Sequence, residues 1–301
     1  MTTVSPNETG GASAPSRRRA RPARADTFEQ VRGRLSWLER FNIRFIKATF
    51  ASKRIDRALE WGLRTLGAGW VHLGTRNIRV AVGIERARAM SQSDGFLLMS
   101  NHRSFFDMFV IQMVLYRSGF RRRLLFPVRS TFFYDHPAGF FVNGLMSFFS
   151  MYPPVFRDRN RLMLNHTAYS ELVHALKGGR AAGIHPEGTR NKTDDPYTLL
   201  PAQAGIGRAI HQTKLPVVPV FINGLGNGLW RQLIGNATGR GRRVIVVFGE
   251  PVDFGDLLSK PGNKETYQKL TDRVMETISS LGLEERALRA TLEHGSADAQ
   301  G

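Results

Sequence analysis

Asn101-His102-Arg103-Ser104-Phe105-Phe106-Asp107 sets a histidine and a carboxylate five positions apart, directly after the apolar run Phe96 to Met99. Imidazole suits proton transfer near neutral pH. A carboxylate against one ring nitrogen fixes the tautomer and supports the imidazolium that forms. On a regular helix such residues stand about 140° apart, so the pair meets only if Asn101 to Ser104 is a loop and Asp107 sits in the first turn of the next helix. His102 is then placed as a general base toward a hydroxyl, with Asp107 as its partner. Taken alone, the pattern also allows a capping or structural role.

The elements that hold this pair are readable nearby. Phe96 to Met99 reads as a short buried strand and Phe105 to Tyr116 as an apolar helix, with Asn101 or Ser104 as cap. His102 therefore falls at the carboxyl end of a strand, where open α/β sheets bind ligands. A second strand, Arg180 to Ile184, runs straight into His185-Pro186-Glu187-Gly188-Thr189-Arg190. Gly188 permits close backbone approach, Thr189 offers a hydroxyl, and Arg190 offers a planar fork suited to phosphate. An ordinary turn with a surface Glu and Arg is the competing reading. Val155-Phe156-Arg157 is a third strand end with a cation, before a helix over Leu162 to Leu176. Val217 to Asn223 is a strand whose Pro219 predicts an edge position or an irregular ladder.

In this order, Asn101-His102 to Asp107, Phe156-Arg157, Glu187-Gly188-Thr189-Arg190 and Val218-Pro219-Val220 resemble the four blocks of the glycerolipid acyltransferases, closest to the bacterial 1-acylglycerol-3-phosphate acyltransferases. The likeness spans about residues 77 to 250. It implies transfer of a fatty acyl group from a thioester, on coenzyme A or acyl carrier protein, to a glycerol hydroxyl of a lysophospholipid. It further implies His102 as base, Asp107 as partner, and Arg157 with Glu187, Gly188, Thr189 and Arg190 as the acceptor site. No metal or cofactor is expected beyond the thioester co-substrate. Arg103 and the Phe105-Phe106 pair fill variable positions, and His185 stands where the family often has an aromatic residue. Another acceptor, such as glycerol 3-phosphate, is the near alternative.

A chain of 301 residues with 42% hydrophobic content can bury one sizeable α/β core. The expected fold is a mainly parallel, mixed sheet flanked by helices. The absence of cysteine excludes disulfides, a catalytic thiol and the zinc deaminase site that His185-Pro186-Glu187 would otherwise suggest. No Gly-x-Ser-x-Gly elbow, P-loop or Gly-x-Gly-x-x-Gly occurs. The net charge of +18 points to an anionic partner, with lipid headgroups, nucleic acid and acyl carrier protein all eligible on charge alone. A non-catalytic basic binder of nucleic acid or membrane leaves the clustering of charged residues at strand ends unexplained, so nucleic acid is not the expected partner.

Residues 1–26, with Arg17, Arg18, Arg19, Arg21 and Arg24, read as a disordered basic tail without the apolar core of a secretory signal. Residues 27–75 read as an amphipathic helical pair, with stripes Phe28, Val31, Leu35, Leu38, Phe41, Phe45 and Ile55, Leu59, Leu63, Leu66, Trp70, Leu73, suited to docking on the core and to an anionic membrane surface. Residues 76–293 form the α/β domain and 294–301 a loose tail. No transmembrane helix is predicted, which makes the expected location peripheral or monotopic on the cytoplasmic face of the membrane. Pro137 to Phe156 reads as a helix then a strand, with Phe140, Phe141, Phe148 and Phe149 as core or as an acyl tunnel. Leu124 to Val128 and Val244 to Phe248 are further strands, and helices lie near Gln203 to Gln212 and Lys264 to Leu281. Arg129 follows the Leu124 strand, beside His102, as a second candidate for phosphate. Arg121-Arg122-Arg123 precedes it at the opposite edge, as a solvated turn or as a membrane or carrier contact.

Overall fold

The computed structural model describes residues 28–88, 90, 95–226 and 228–298. The basic tail expected over residues 1–26 lies outside them. The chain opens with α1 (Trp37–Ala51) and α2 (Lys53–Gly62), then a π turn (Leu63–Gly67) into α3 (Ala68–Leu73). There follow β1 (Arg79–Val82), α4 (Ile84–Arg88), β2 (Leu97–Ser100), α5 (Asp107–Arg117), β3 (Leu124–Leu125), β4 (Val128–Arg129), a distorted turn α6 (Ser130–Phe133) and α7 (Pro137–Ser147). The remainder is β5 (Pro154–Val155), α8 (Leu164–Lys177), β6 (Ala181–Ile184), α9 (Gly205–Thr213), β7 (Val217–Asn223), α10 (Leu229–Thr238), β8 (Val244–Phe248) and α11 (Lys264–Asp298).

Six strands form one sheet in the order β1-β8-β7-β2-β6-β3, parallel at every pairing except β7 with β8. Every residue of β2, β6, β7 and β8 is buried, as expected where helices cover both faces of a mainly parallel sheet. A Cβ on Gly183 would stand 2.4 Å from Met108 Sδ. The missing side chain lets α5 lie close over β6, and Asp107 opens that helix.

Several expectations are corrected. The Leu124 to Val128 strand leaves the sheet after Leu125, and Val128–Arg129 pairs instead with Pro154–Val155 in a separate two-stranded ribbon. Pro219 is on a central strand, not an edge. The ladder there is irregular, because antiparallel pairing with β8 begins only at Val220 and the Pro219 carbonyl accepts from Gly249 N beyond the end of β8. Arg123 is not in a solvated turn: it is buried and bonded to Asp56, Thr49 and Phe149. The last helix runs on to Asp298, past the end read at Leu281. At the amino end the first helix starts only at Trp37, where Ser36 and Glu39 form a capping box. The expected apolar stripes divide, with Phe28, Leu35 and Leu63 buried while Phe41, Ile55, Leu66 and Leu73 are exposed. The expected helix and strand within Pro137 to Phe156 are α7 and β5, with Phe141 exposed and Phe140, Phe148 and Phe149 half-buried.

Candidate active site at the carboxyl edge of the sheet

Because β2 and β6 are adjacent and parallel, their carboxyl ends bring the His102 loop beside the His185 to Arg190 turn. Asn101 shapes the exit from β2. Its Nδ2 donates to Ile222 O at 2.9 Å and its Oδ1 accepts from Ile222 N at 2.8 Å. The side-chain amide thus continues the β2–β7 ladder after the backbone has turned away. Both main-chain groups of His102 are then held from the β6 side: its N–H donates to Glu187 Oε1 at 2.8 Å, and its carbonyl accepts from Asn191 N at 2.7 Å.

His102 and Asp107 meet across the loop and the first turn of α5. His102 Nδ1 lies 3.1 Å from Asp107 Oδ2, which also accepts from Arg103 N and Ser104 N, each at 2.7 Å. An ionised carboxylate can only accept, so Nδ1 carries the proton and Nε2 presents the lone pair. The Asp107 side chain is 1% exposed and that of His102 19%, leaving the imidazole within reach of a ligand. Burial pushes Asp107 up to about 6, against the opposing pull of His185, of the two backbone N–H groups and of Arg103. His102 is held down at about 4, by burial first and then by Arg190 and Arg157. At pH 7 the pair is a neutral imidazole and a carboxylate.

Beneath His102 lies His185, the two rings stacked 3.9 Å apart and 6° from parallel. The His185 Nδ1 is 3.1 Å from Ser100 O and 3.0 Å from Asn101 O. Carbonyls only accept, so this nitrogen is the protonated one, and burial, with His102 next, holds the ring neutral at pH 7. His185 therefore supplies a flat, uncharged floor.

The following turn is built by Pro186 and Gly188. Gly188 N donates to His185 O at 2.9 Å, and Gly188 has φ of 66°, a left-handed value that favours glycine. Glu187 is 1% exposed, and its second oxygen accepts from Leu200 N at 2.9 Å. Both oxygens are engaged with backbone N–H groups, so Glu187 anchors the two loops and does not face the open site. Arg157 Nη2 donates to Gly188 O at 2.8 Å, joining the β5 and β6 ends. Gly188, Thr189, Arg190 and Arg157 are exposed beside the dyad. Arg129 is exposed on the β4–β5 ribbon and makes no ion pair among the described residues. No group of histidine, cysteine and carboxylate side chains suited to a metal occurs among the described residues.

Sequence reasoning did not find Asn191 or the role of Arg103, which donates to Thr193 O at 2.8 Å and so pins the loop after Arg190. Neither carries a local signal, because each acts through residues about ninety positions away. The sequence suggests Asn101 as a cap, although an Asn at a strand end can also extend a ladder.

Residues 79–223 match the family model described as Acyltransferase. The chain is 26% identical over 190 residues to a 1-acyl-sn-glycerol-3-phosphate acyltransferase of Saccharomyces cerevisiae, covering 62% of this chain and spanning 56% of the yeast protein. A solved structure, the 1-acyl-sn-glycerophosphate (LPA) acyltransferase of Thermotoga maritima, aligns with 80% of this chain and 89% of that one, at 18% identity and a TM-score of 0.48.

Proposed function

Since the chain belongs to the acyltransferase family through residues 79–223, we propose that it transfers a fatty acyl group from a thioester to the free hydroxyl of a lysophospholipid, 1-acylglycerol 3-phosphate giving phosphatidic acid. The observation that carries this reading is His102 with its Nδ1 3.1 Å from buried Asp107 and its ring at an open strand end. In this reading Nε2 takes the acceptor's hydroxyl proton as the oxygen attacks the thioester carbonyl. The tetrahedral oxyanion collapses, the C–S bond breaks, and the leaving thiolate takes the proton back from the imidazolium. No covalent enzyme intermediate is needed. General-base assistance supplies about 10² to 10⁴ in rate. Arg157 and Arg190 would hold the acceptor phosphate, and their charge also keeps His102 unprotonated. The yeast relative's name gives the same acceptor.

The donor is coenzyme A or acyl carrier protein, and the site works at the cytoplasmic face of a membrane. No helix among the described residues is long and apolar enough to cross one. The support for surface attachment is an apolar exterior: Trp37, Phe41, Trp61, Leu66, Trp70 and Phe141 are all exposed. The test is a purified full chain assayed against 1-acylglycerol 3-phosphate, glycerol 3-phosphate and phosphate-free lysolipids, with both thioesters, and products identified by mass. Phosphatidic acid should form fastest. Absence of transfer to every glycerol hydroxyl would overturn the reading, whereas preference for glycerol 3-phosphate would move only the acceptor.

A further inference from the structure

At the amino edge of the sheet, a cavity of about 270 Å³ is lined by Arg57, Arg121, Arg122, Arg123 and Arg180 together with Asp56 and Glu60. Arg123 and Arg180 immediately precede β3 and β6, whereas His102 and His185 follow β2 and β6. At about 3.3 Å per residue, Arg180 and His185 stand on the order of 16 Å apart along the strand. The cavity is therefore separate from the candidate active site.

Its floor is built rather than incidental. The Arg123 side chain is fully buried. It donates to Asp56 Oδ1 at 3.0 Å and Phe149 O at 2.9 Å, and lies 3.9 Å over the Phe50 ring. Arg180 donates to Asp56 Oδ2 at 2.9 Å and Phe50 O at 2.7 Å, and lies 4.6 Å over the same ring. One carboxylate thus serves two guanidinium groups, and Glu60 is paired with Arg64. Arg123 Nε is buried without an acceptor among the described residues. At the rim, Arg57 and Arg121 are exposed and make no ion pair among the described residues. Positive charge exceeds negative in a concave, partly dehydrated space, which focuses the field on an anion. Fixed guanidinium forks match phosphate oxygens.

We propose that this cavity is a second phosphate-binding site, which takes the phosphate of an anionic lipid headgroup or of a soluble phosphate ester. The lipid source is supplied by α2 itself, whose Ile55 and Trp61 are exposed on the helix that lines the cavity.

Inorganic phosphate, added to the full chain at constant ionic strength, should raise the melting midpoint along a saturable curve. Arg57→Gln/Arg121→Gln should weaken that binding at least about tenfold, the loss of about one charge-assisted contact, and Arg57→Lys/Arg121→Lys should restore part of it. Arg157→Gln can remove only the contribution of the acceptor site at the other edge, and should leave in place the part of the rise that depends on Arg57 and Arg121. An unsaturable rise would be the general exclusion effect of phosphate on any folded protein, and a saturable one unchanged in the double Gln variant would trace to the acceptor site; either would overturn the cavity as a site. A rise lost in Arg157→Gln would place the anion at the other edge and overturn it equally. Flotation with phosphatidylcholine vesicles, with and without phosphatidic acid, separates the sources. Weaker binding of the double variant to the acidic vesicles assigns the lipid headgroup, and equal binding assigns soluble esters. Only the flotation arm rests on the membrane-facing reading; the melting arm stands whether or not the chain transfers acyl groups.

Discussion

His102→Ala removes an imidazole that packs at an open edge, so it should cut acyl transfer by about 10² to 10⁴ with the melting midpoint little changed. Retention of a tenth of the activity would count against the base assignment. Asp107→Asn loses the ionised acceptor at Nδ1 and should also be costly, through the wrong tautomer and an unsupported imidazolium. The acid limb of activity has a defined sign. The working form is neutral His102 with ionised Asp107, and Asp107 sits at about 6 while His102 sits at about 4, so activity should fall as pH drops through about 6, below the ordinary imidazole range. A limb at or above 7 in a kcat against pH series would contradict this. His185→Phe preserves a flat neutral ring under His102 and should hold activity within about tenfold, whereas His185→Ala opens a gap under the base and should lose more. Glu187→Gln keeps the shape but turns one of the two accepting oxygens into an NH2 donor, so it cannot accept from His102 N and Leu200 N together and should lower kcat with either substrate varied. A selective rise in the acceptor KM alone would instead restore acceptor contact to Glu187.

Asn101 shows how a single amide holds one element to another. Removing it in Asn101→Ala leaves the Ile222 N–H and carbonyl without those partners inside the sheet, a cost of about 2 to 4 kcal/mol that denaturant unfolding would read. A loss below about 1 kcal/mol would mean that water replaces the amide. The strands themselves were readable because Leu97–Ser100, Ala181–Ile184, Val217–Asn223 and Val244–Phe248 are short apolar runs bounded by loops, and the His102 to Asp107 spacing fixed the loop-then-helix geometry. Other parts had no local signature. The two-residue strands at Leu124 and Val128 read as one because the break depends on which partner each finds, β6 or β5. Arg123 reads as solvated in an Arg-Arg-Arg run, yet Asp56 and Thr49, more than sixty residues earlier, bury it. The role of Glu187 was hidden for the same reason, since its partners at His102 and Leu200 are supplied by the fold.

The amino-terminal helices both complete the core and offer an apolar exterior, and these two roles can be separated by substitution. Ile43, Ile46, Leu63 and Val71 are buried in the shared core, and α1 is tied down by Glu39 to Arg161 and Lys47 to Glu171. Deleting residues up to Gly74 would uncover that core, so loss of membrane binding in such a truncation would report unfolding. Trp37, Trp61 and Leu66, by contrast, are 71%, 58% and 66% exposed, and replacing them with Ser should change folding stability by only about 0.5 kcal/mol each. If these side chains enter the headgroup region, each should contribute about 1 kcal/mol of the roughly 1.5 to 3 available on full burial. The triple variant should then bind vesicles about 10²-fold more weakly. The loss should appear on neutral as well as anionic vesicles, because it is apolar area that is removed. Raising the salt concentration should weaken binding of parent and variant alike on anionic vesicles, where arginine and lysine add attraction that counterions screen. Undiminished vesicle binding by a folded triple variant would place attachment elsewhere, with the exposed Phe141 and Leu145 of α7 the next surface to substitute.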